Sequence, residues 1–69
     1  MTKFVHIVYV HPVELGEPNL HKVELEREFE TKEEAERWFN MFNAFAEAAD
    51  CELKAVYYGC VNDETGELV

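Results

Sequence analysis

Two stretches near the start of the chain alternate like β-strands, but they differ in which faces are apolar. Residues 2–10 are apolar on both faces, which is typical of a strand in the middle of a sheet. Residues 20–29 place apolar side chains on one face and charged side chains on the other, which predicts one face in the core and one in water. The prolines and the glycine between them predict a loop of about nine residues.

We expect these two strands to form a hairpin whose register brings apolar positions together. Val5 then lies opposite Leu25, and the same register puts Ile7 opposite a valine, Val23. A slip of one residue would turn the apolar side chains into water, so the matched faces favour this pairing. On the other side of the sheet His6 faces Glu24, in a cross-strand pair that could act as a base or as a pH-sensitive contact.

A helix is predicted from residue 31 to residue 50. Thr31 and Glu34 fit a capping box, in which each side chain accepts a hydrogen bond from a backbone amide at the start of the helix. The apolar residues that follow recur at steps of three and four, which places them on one stripe. The residues of this predicted stripe are Ala35, Trp38, Phe39, Phe42, Phe45, Ala46 and Ala49.

The remaining residues predict a third strand and a turn. Residues 53–61 are rich in β-branched and aromatic side chains, but Tyr57 and Tyr58 fit either choice of inward face, so that choice stays open. Residues 62–66 are typical of a hairpin turn, and residues 67–69 are compatible with a brief fourth strand. The whole pattern predicts a single α+β domain over residues 1–69. Its antiparallel-type sheet has the order 2-1-3 and one helix on one face.

One helix covers one face of such a sheet and leaves the other face open. We expect the open face to be the one that carries Phe4, Val8 and Val10, with half of the third strand. An exposed apolar patch of this kind usually marks an interface, so we expect a homodimer that packs sheet face to sheet face. The residues predicted for this interface are Phe4, His6, Val8, Val10, Tyr57 and Tyr58.

Charge narrows the range of partners. The 69 residues include 15 Asp and Glu but only 6 Lys and Arg, which gives a formal net charge of −9, although 48% of the residues are apolar. This charge disfavours direct binding to nucleic acid or to an anionic membrane and favours a basic protein partner. The chain shows no leader-like start, no apolar stretch of about 20 residues and no paired cysteine motif, so we expect a cytoplasmic protein with reduced thiols.

The chain contains side chains of the types used in catalysis and metal binding, but without the spacing that these functions need. The chain has no serine, its three glycines are isolated, and its histidines and cysteines lack the short spacing typical of metal ligands. Its carboxylates follow regular exposed positions rather than a predicted cleft. We therefore expect no catalytic residues, no cofactor and no metal ion, and we expect that the protein is not an enzyme.

The acidic run between Glu24 and Glu36 contains seven glutamates and has two interpretations. It could be a solvated face that keeps a small apolar protein in solution. Alternatively, it could be an ordered line of charge, whose strand portion repeats about every 6.7 Å. The residues of this predicted partner surface are Glu24, Glu26, Glu28, Glu30, Glu33 and Glu36.

The second interpretation predicts a non-enzymatic protein that binds a basic partner. A line of charge imitates a nucleic-acid backbone, so the most concrete form is an inhibitor of the kind that phages and mobile elements encode. Such an inhibitor would occupy the basic groove of a nucleic-acid-binding enzyme. Two alternatives stay open: an assembly subunit that binds through the open apolar sheet face, and a small-ligand site at a dimer cleft near His6 and Tyr57. No family motif is matched residue by residue.

Overall fold

The computed structural model describes residues 3–69 and shows a sheet with one helix across it. Its central strand β1 pairs antiparallel with β3 along one side and with β4 along the other. The predicted α+β class and the 2-1-3 order of the three predicted strands are confirmed. Thr2, in the predicted first strand, lies outside the described residues. The elements are β1 (Phe4–Glu14), β2 (Glu17–Pro18), β3 (Leu25–Phe29), α1 (Lys32–Ala48) and β4 (Leu53–Asn62).

The turn after the first strand is tighter than the predicted loop. β1 continues as far as Glu14, which pairs with Glu17 of the short strand β2. The two residues between them, Leu15 and Gly16, have positive φ angles of 56° and 84°, as a two-residue hairpin turn requires. Because β1 extends so far before the chain turns, the returning chain meets β1 nearer to its C-terminal end.

This longer β1 changes the register between β1 and β3. Leu25 lies opposite Val10 instead of Val5, which is a shift of five residues. Since side chains alternate between the two faces, a shift by an odd number moves the apolar side of β3 to the other face of β1. The predictions that fail are Val5 opposite Leu25, Ile7 opposite Val23 and His6 facing Glu24.

The helix packs on the face that carries Val8 and Val10. These side chains are 0% and 1% exposed, and they form the centre of the core with Ala35 and Ala55. The prediction that this face lies open is therefore wrong. The observed register puts the apolar side of β3 on the same face as Val8 and Val10, and α1 covers these two valines. Partly buried side chains surround this centre: Phe29, Trp38, Phe39, Phe42, Leu53 and Tyr57.

The start of α1 follows the prediction more closely than its end. The Thr31 hydroxyl accepts a hydrogen bond from the Glu34 N–H at 3.2 Å, which confirms the cap. The predicted apolar stripe is too wide at the C-terminal end of the helix, since Phe45 is 69% exposed while Ala46 is buried.

A bulge in β4 leaves one of its two adjacent tyrosines without a partner on β1. Val8 of β1 pairs with Tyr57. The preceding residue of β1, Ile7, pairs with Gly59, so Tyr58 between these positions has no partner on β1. Tyr57 consequently packs on the helix side, whereas Tyr58 belongs to the opposite side of the sheet.

The side of the sheet opposite α1, which we call the far face, has a smaller buried cluster of Val5, Ile7 and Val61. The end of the chain covers part of this cluster, because Leu68 bridges to Val61 and its side chain lies over Gly59. The predicted fourth strand is thus reduced to a single bridge. Further along β1, the far face carries Tyr9 and His11, beside Val56 and Tyr58 of β4 and Glu26 and Glu28 of β3.

Candidate binding site on the far face

The glutamates of β3 stand on the far face. Glu26 lies opposite Tyr9 and Glu28 lies opposite Ile7, and both of these β1 residues point away from the helix. The strand rise sets successive carboxylates on one face about 6.7 Å apart. Both glutamates are exposed, as is Glu24 just before the strand. We call Glu24, Glu26 and Glu28 the acidic rim.

The other predicted acidic residues do not continue the rim as a single line. Glu30 forms an exposed ion pair with Lys3 at 3.9 Å. Glu36 forms another with Lys32, also at 3.9 Å, within α1. The structure therefore groups Glu24, Glu26 and Glu28 along β3, whereas Glu33 and Glu36 belong to the helix that packs on the opposite face.

The residues predicted for an apolar interface are divided between the two sides of the sheet. Val8 and Val10 are buried beneath α1 and offer no surface to a partner. Phe4 is 47% exposed and Tyr58 is 51% exposed, but Tyr58 lies on the far face. A dimer through the predicted face would therefore lack the two valines that were to form its centre.

His6 and Tyr57 lie together on the helix side and hydrogen-bond to each other. His6 Nδ1 is 2.9 Å from the Tyr57 hydroxyl oxygen, and the two rings stack with their centroids 6.1 Å apart. Lys32 Nζ lies 5.6 Å from the centre of the Tyr57 ring. Burial, followed by the nearby Cys60 and Glu36, raises the pKa of Tyr57 above its ordinary value of 10. The polar atoms proposed for a ligand cleft are thus already bonded to each other.

A cavity of about 260 Å³ opens on the far face beside the acidic rim. Its shape is set by edge-to-face ring contacts, because the Tyr9 ring centroid lies 5.0 Å from that of Tyr58 and 5.8 Å from that of His11. Glu26 is the cross-strand neighbour of Tyr9, so its carboxylate stands at the margin of the cavity. The lining residues are Tyr9, His11, Leu20, Val23, Val56, Tyr57 and Tyr58.

Two polar side chains in this wall have unusual surroundings. Burial, and then the Glu26 carboxylate and Tyr58, raises the pKa of Tyr9 above its ordinary value of 10. His11 is 2% exposed, and its Nδ1 has no hydrogen-bond partner among residues 3–69. A buried polar atom without a partner typically costs about 1–3 kcal/mol, which makes His11 the least satisfied part of the wall.

Comparison of the chain with protein-family models, with curated proteins and with solved structures gave no match. Its function is therefore inferred from its own residues. In residues 3–69 no group of three or more His, Cys, Asp and Glu side chains is placed to hold a metal ion. Cys51 and Cys60 are free thiols. No helix in this part of the chain is long and apolar enough to cross a membrane.

The sequence prediction of the site includes the acidic rim but not the cavity. One signal for the cavity is the alternation of Tyr9 and His11, which extends the far face beyond the predicted end of the first strand. Pro12 argues against reading the strand further, since proline interrupts a ladder of hydrogen bonds. The prediction that residues 20–24 belong to the second strand is wrong, since β3 begins at Leu25. Leu20 and Val23 therefore reach the cavity from a segment outside any strand.

Proposed function

We propose that this protein is a binding module, not an enzyme, and that it holds a basic protein partner along the acidic rim. The observation that carries the proposal is the position of Glu26 and Glu28, two exposed carboxylates on an edge strand beside an aromatic cavity. The net charge of −9 would steer a basic partner towards the molecule and repel nucleic acid.

The charge of the rim is available to a partner. The ion pairs within residues 3–69 use Glu30 and Glu36, which lie outside the rim. Neighbouring carboxylates of like charge repel each other, and lysine or arginine side chains of a partner would relieve this repulsion. The energy of the contact would therefore come from charges that the fold itself leaves unpaired.

We further propose that the partner is a nucleic-acid-binding protein. The basic groove of such a protein recognises a regular row of negative charges, and the carboxylates of β3 form a short row of this kind. Because the helix glutamates belong to the other side of the sheet, the row covers only part of such a groove. Competition with nucleic acid for the groove would make the module an inhibitor.

Affinity capture with charge-reversal variants tests this proposal. The tagged protein and its E24K/E26K/E28K variant are incubated with cell lysate at low salt and at high salt, and bound proteins are identified by mass spectrometry. An E30K/E33K/E36K variant changes the net charge by the same amount and is the matched control. We expect a basic nucleic-acid-binding protein that is bound at low salt, released at high salt and displaced by duplex DNA.

The amount of this partner captured by the E24K/E26K/E28K variant should fall at least tenfold. The E30K/E33K/E36K control should capture nearly as much as the unmodified protein. Equal capture by the rim variant and by the unmodified protein would show that the rim is not the binding surface. A partner that duplex DNA does not displace would rule out the inhibitory form of the proposal, even if the rim binds it.

A further inference from the structure

We infer that the far-face cavity is an anchor site for one arginine side chain of the basic partner, which enters beside Glu26 and Tyr9 and stacks on Tyr58. The inference rests on the proposed function, since it names the group that the partner places in the cavity. The walls, the volume and the charge of the cavity each point to this side chain.

The walls are suited to a flat cation. The planes of Tyr9 and Tyr58 meet at 60° and those of Tyr9 and His11 at 73°, so these rings touch edge to face. The Tyr58 side chain is 51% exposed, and the negative charge on the faces of tyrosine rings attracts a cation. A guanidinium group is planar and weakly hydrated, so it stacks on these faces better than an ammonium group.

The volume of the cavity limits what it can hold. At about 260 Å³ it is smaller than the roughly 300–1,000 Å³ that pockets for whole small-molecule ligands occupy. A single side chain from a partner fits this space better than a cofactor does. Arginine also carries the charge that the rim attracts.

A carboxylate stands at the margin of the cavity and can accept hydrogen bonds, as an arginine requires. The guanidinium group has five N–H donors and no acceptor, and it pairs with a carboxylate through two parallel hydrogen bonds. Glu26 offers that carboxylate from its position opposite Tyr9.

A basic residue at the edge of the cavity affects the position of the guanidinium. Lys54 pairs with His11 across β1 and β4, and its side chain is exposed. Repulsion from this ammonium disfavours a cation at the His11 end of the cavity. The guanidinium is therefore expected between Glu26 and Tyr58, with its methylene groups against Leu20 and Val23.

An NMR titration with blocked tripeptides tests the inference directly. The probes are Gly-Arg-Gly, Gly-Lys-Gly and Gly-citrulline-Gly, and citrulline keeps the shape of arginine without its charge. The arginine peptide should bind about fivefold more tightly than the lysine peptide and about tenfold more tightly than the citrulline peptide. Its largest shifts should fall on the backbone amides of Tyr9, His11, Val56 and Tyr58.

Two substitutions make the test specific to the cavity. Tyr58→Leu removes an exposed aromatic face and should weaken arginine-peptide binding about fivefold, and Glu26→Gln should do the same. Glu33→Gln, on the helix, should change nothing. Equal affinity for the arginine and citrulline peptides, or shifts confined to residues outside the cavity, would overturn the inference.

The results also separate this inference from the proposed function. Partner capture that depends on the rim but is unchanged by Tyr58→Leu would refute the arginine site and leave the acidic binding module standing. Arginine-selective shifts at the cavity would support the arginine site. If partner capture is at the same time unchanged in the E24K/E26K/E28K variant, the proposed acidic binding module is refuted.

Discussion

Asn43 takes the place of a neighbouring strand for one position of β4. Its side-chain amide donates to the Ala55 carbonyl oxygen at 3.0 Å, and its oxygen accepts from the Ala55 N–H at 2.8 Å. Ala55 is 2% exposed, so without this side chain both of its outward backbone groups would be buried and unpaired. A single polar residue of α1 thus joins the helix to the edge of the sheet.

Replacing Asn43 by Ala should lower the free energy of unfolding by about 1–3 kcal/mol, because two hydrogen bonds to a buried backbone position are lost. Urea denaturation followed by circular dichroism measures the change. Asn40→Ala is the control, since Asn40 is exposed on the same helix and alanine is the better helix former. Equal stability of the two variants would show that the Asn43 pair contributes nothing.

Tyr9 and Tyr57 should ionise at a higher pH than a free phenol. Burial raises the pKa of both above 10, so in a spectrophotometric titration both should ionise above that pH. Folding favours the protonated form, so this contribution to stability is complete below the unfolded pKa and is lost as pH rises through the folded values. Tyr9→Phe should remove one of the ionisation steps above pH 10.

Glu26→Gln tests the contribution of the Glu26 charge to the raised pKa of Tyr9. Burial is the larger cause and the Glu26 charge the second, so the Tyr9 transition should move towards 10 without reaching it. In denaturant Tyr9 should ionise near 10. A Tyr9 transition that does not respond to Glu26→Gln would mean that the carboxylate is not beside the phenol.

At the scale of elements, local pattern predicts which segments are helix and strand but not how they meet. The Thr31 cap and the stripe through Phe42 are properties of neighbouring residues, so the sequence shows them. The register of β1 and β3 depends on where the chain reverses, and Leu15 adopts a positive φ that its residue type does not suggest. The bulge at Tyr58 has no signal in composition, because either tyrosine is suited to either face.

Gly59 should be intolerant of a side chain. Its φ angle is 150°, and a Cβ atom there would lie 2.6 Å from Leu68 Cδ1. Gly59→Ala should therefore destabilise the fold by about 1–3 kcal/mol and loosen the end of the chain. Hydrogen exchange of the Val69 N–H, which donates to the Cys60 carbonyl oxygen at 2.7 Å, should become faster.

The double variant G59A/L68A separates the effect of the close contact with Leu68 from the effect of the strained backbone at Gly59. Removing the Leu68 side chain relieves the close contact but not the backbone strain, so only part of the lost stability should return relative to L68A alone. Full recovery would assign the whole effect to the contact. No effect of Gly59→Ala in either background would contradict the observed packing of the chain end on the far face.

At the scale of the whole molecule, the net charge of −9 is poorly compensated. The two ion pairs in residues 3–69 are long, at 3.9 Å, and exposed, so each contributes little. The sequence alone predicts this excess of charge and the position of the acidic rim. It does not predict the cavity beside the rim, because Leu20 and Val23 reach that cavity only after the tight turn is made.

Salt should raise the melting temperature of the isolated protein, since mobile ions screen the repulsion among its carboxylates. The E26Q/E28Q variant has less repulsion and should melt higher at low salt, with a smaller increase on adding salt. Differential scanning fluorimetry over a salt series measures both effects. A melting temperature that falls on adding salt would show that the internal ion pairs outweigh the repulsion.

The long central strand also affects how the protein is made. The N-terminal end of β1 pairs with the C-terminal end of β4, and the Asp63 N–H donates to the Lys3 carbonyl oxygen at 2.8 Å. β1, apolar on both faces, is therefore synthesised well before its last partner, with a delay on the order of seconds. During that interval the nascent chain cannot complete its sheet, and β1 is the segment for which protection by a chaperone would matter most.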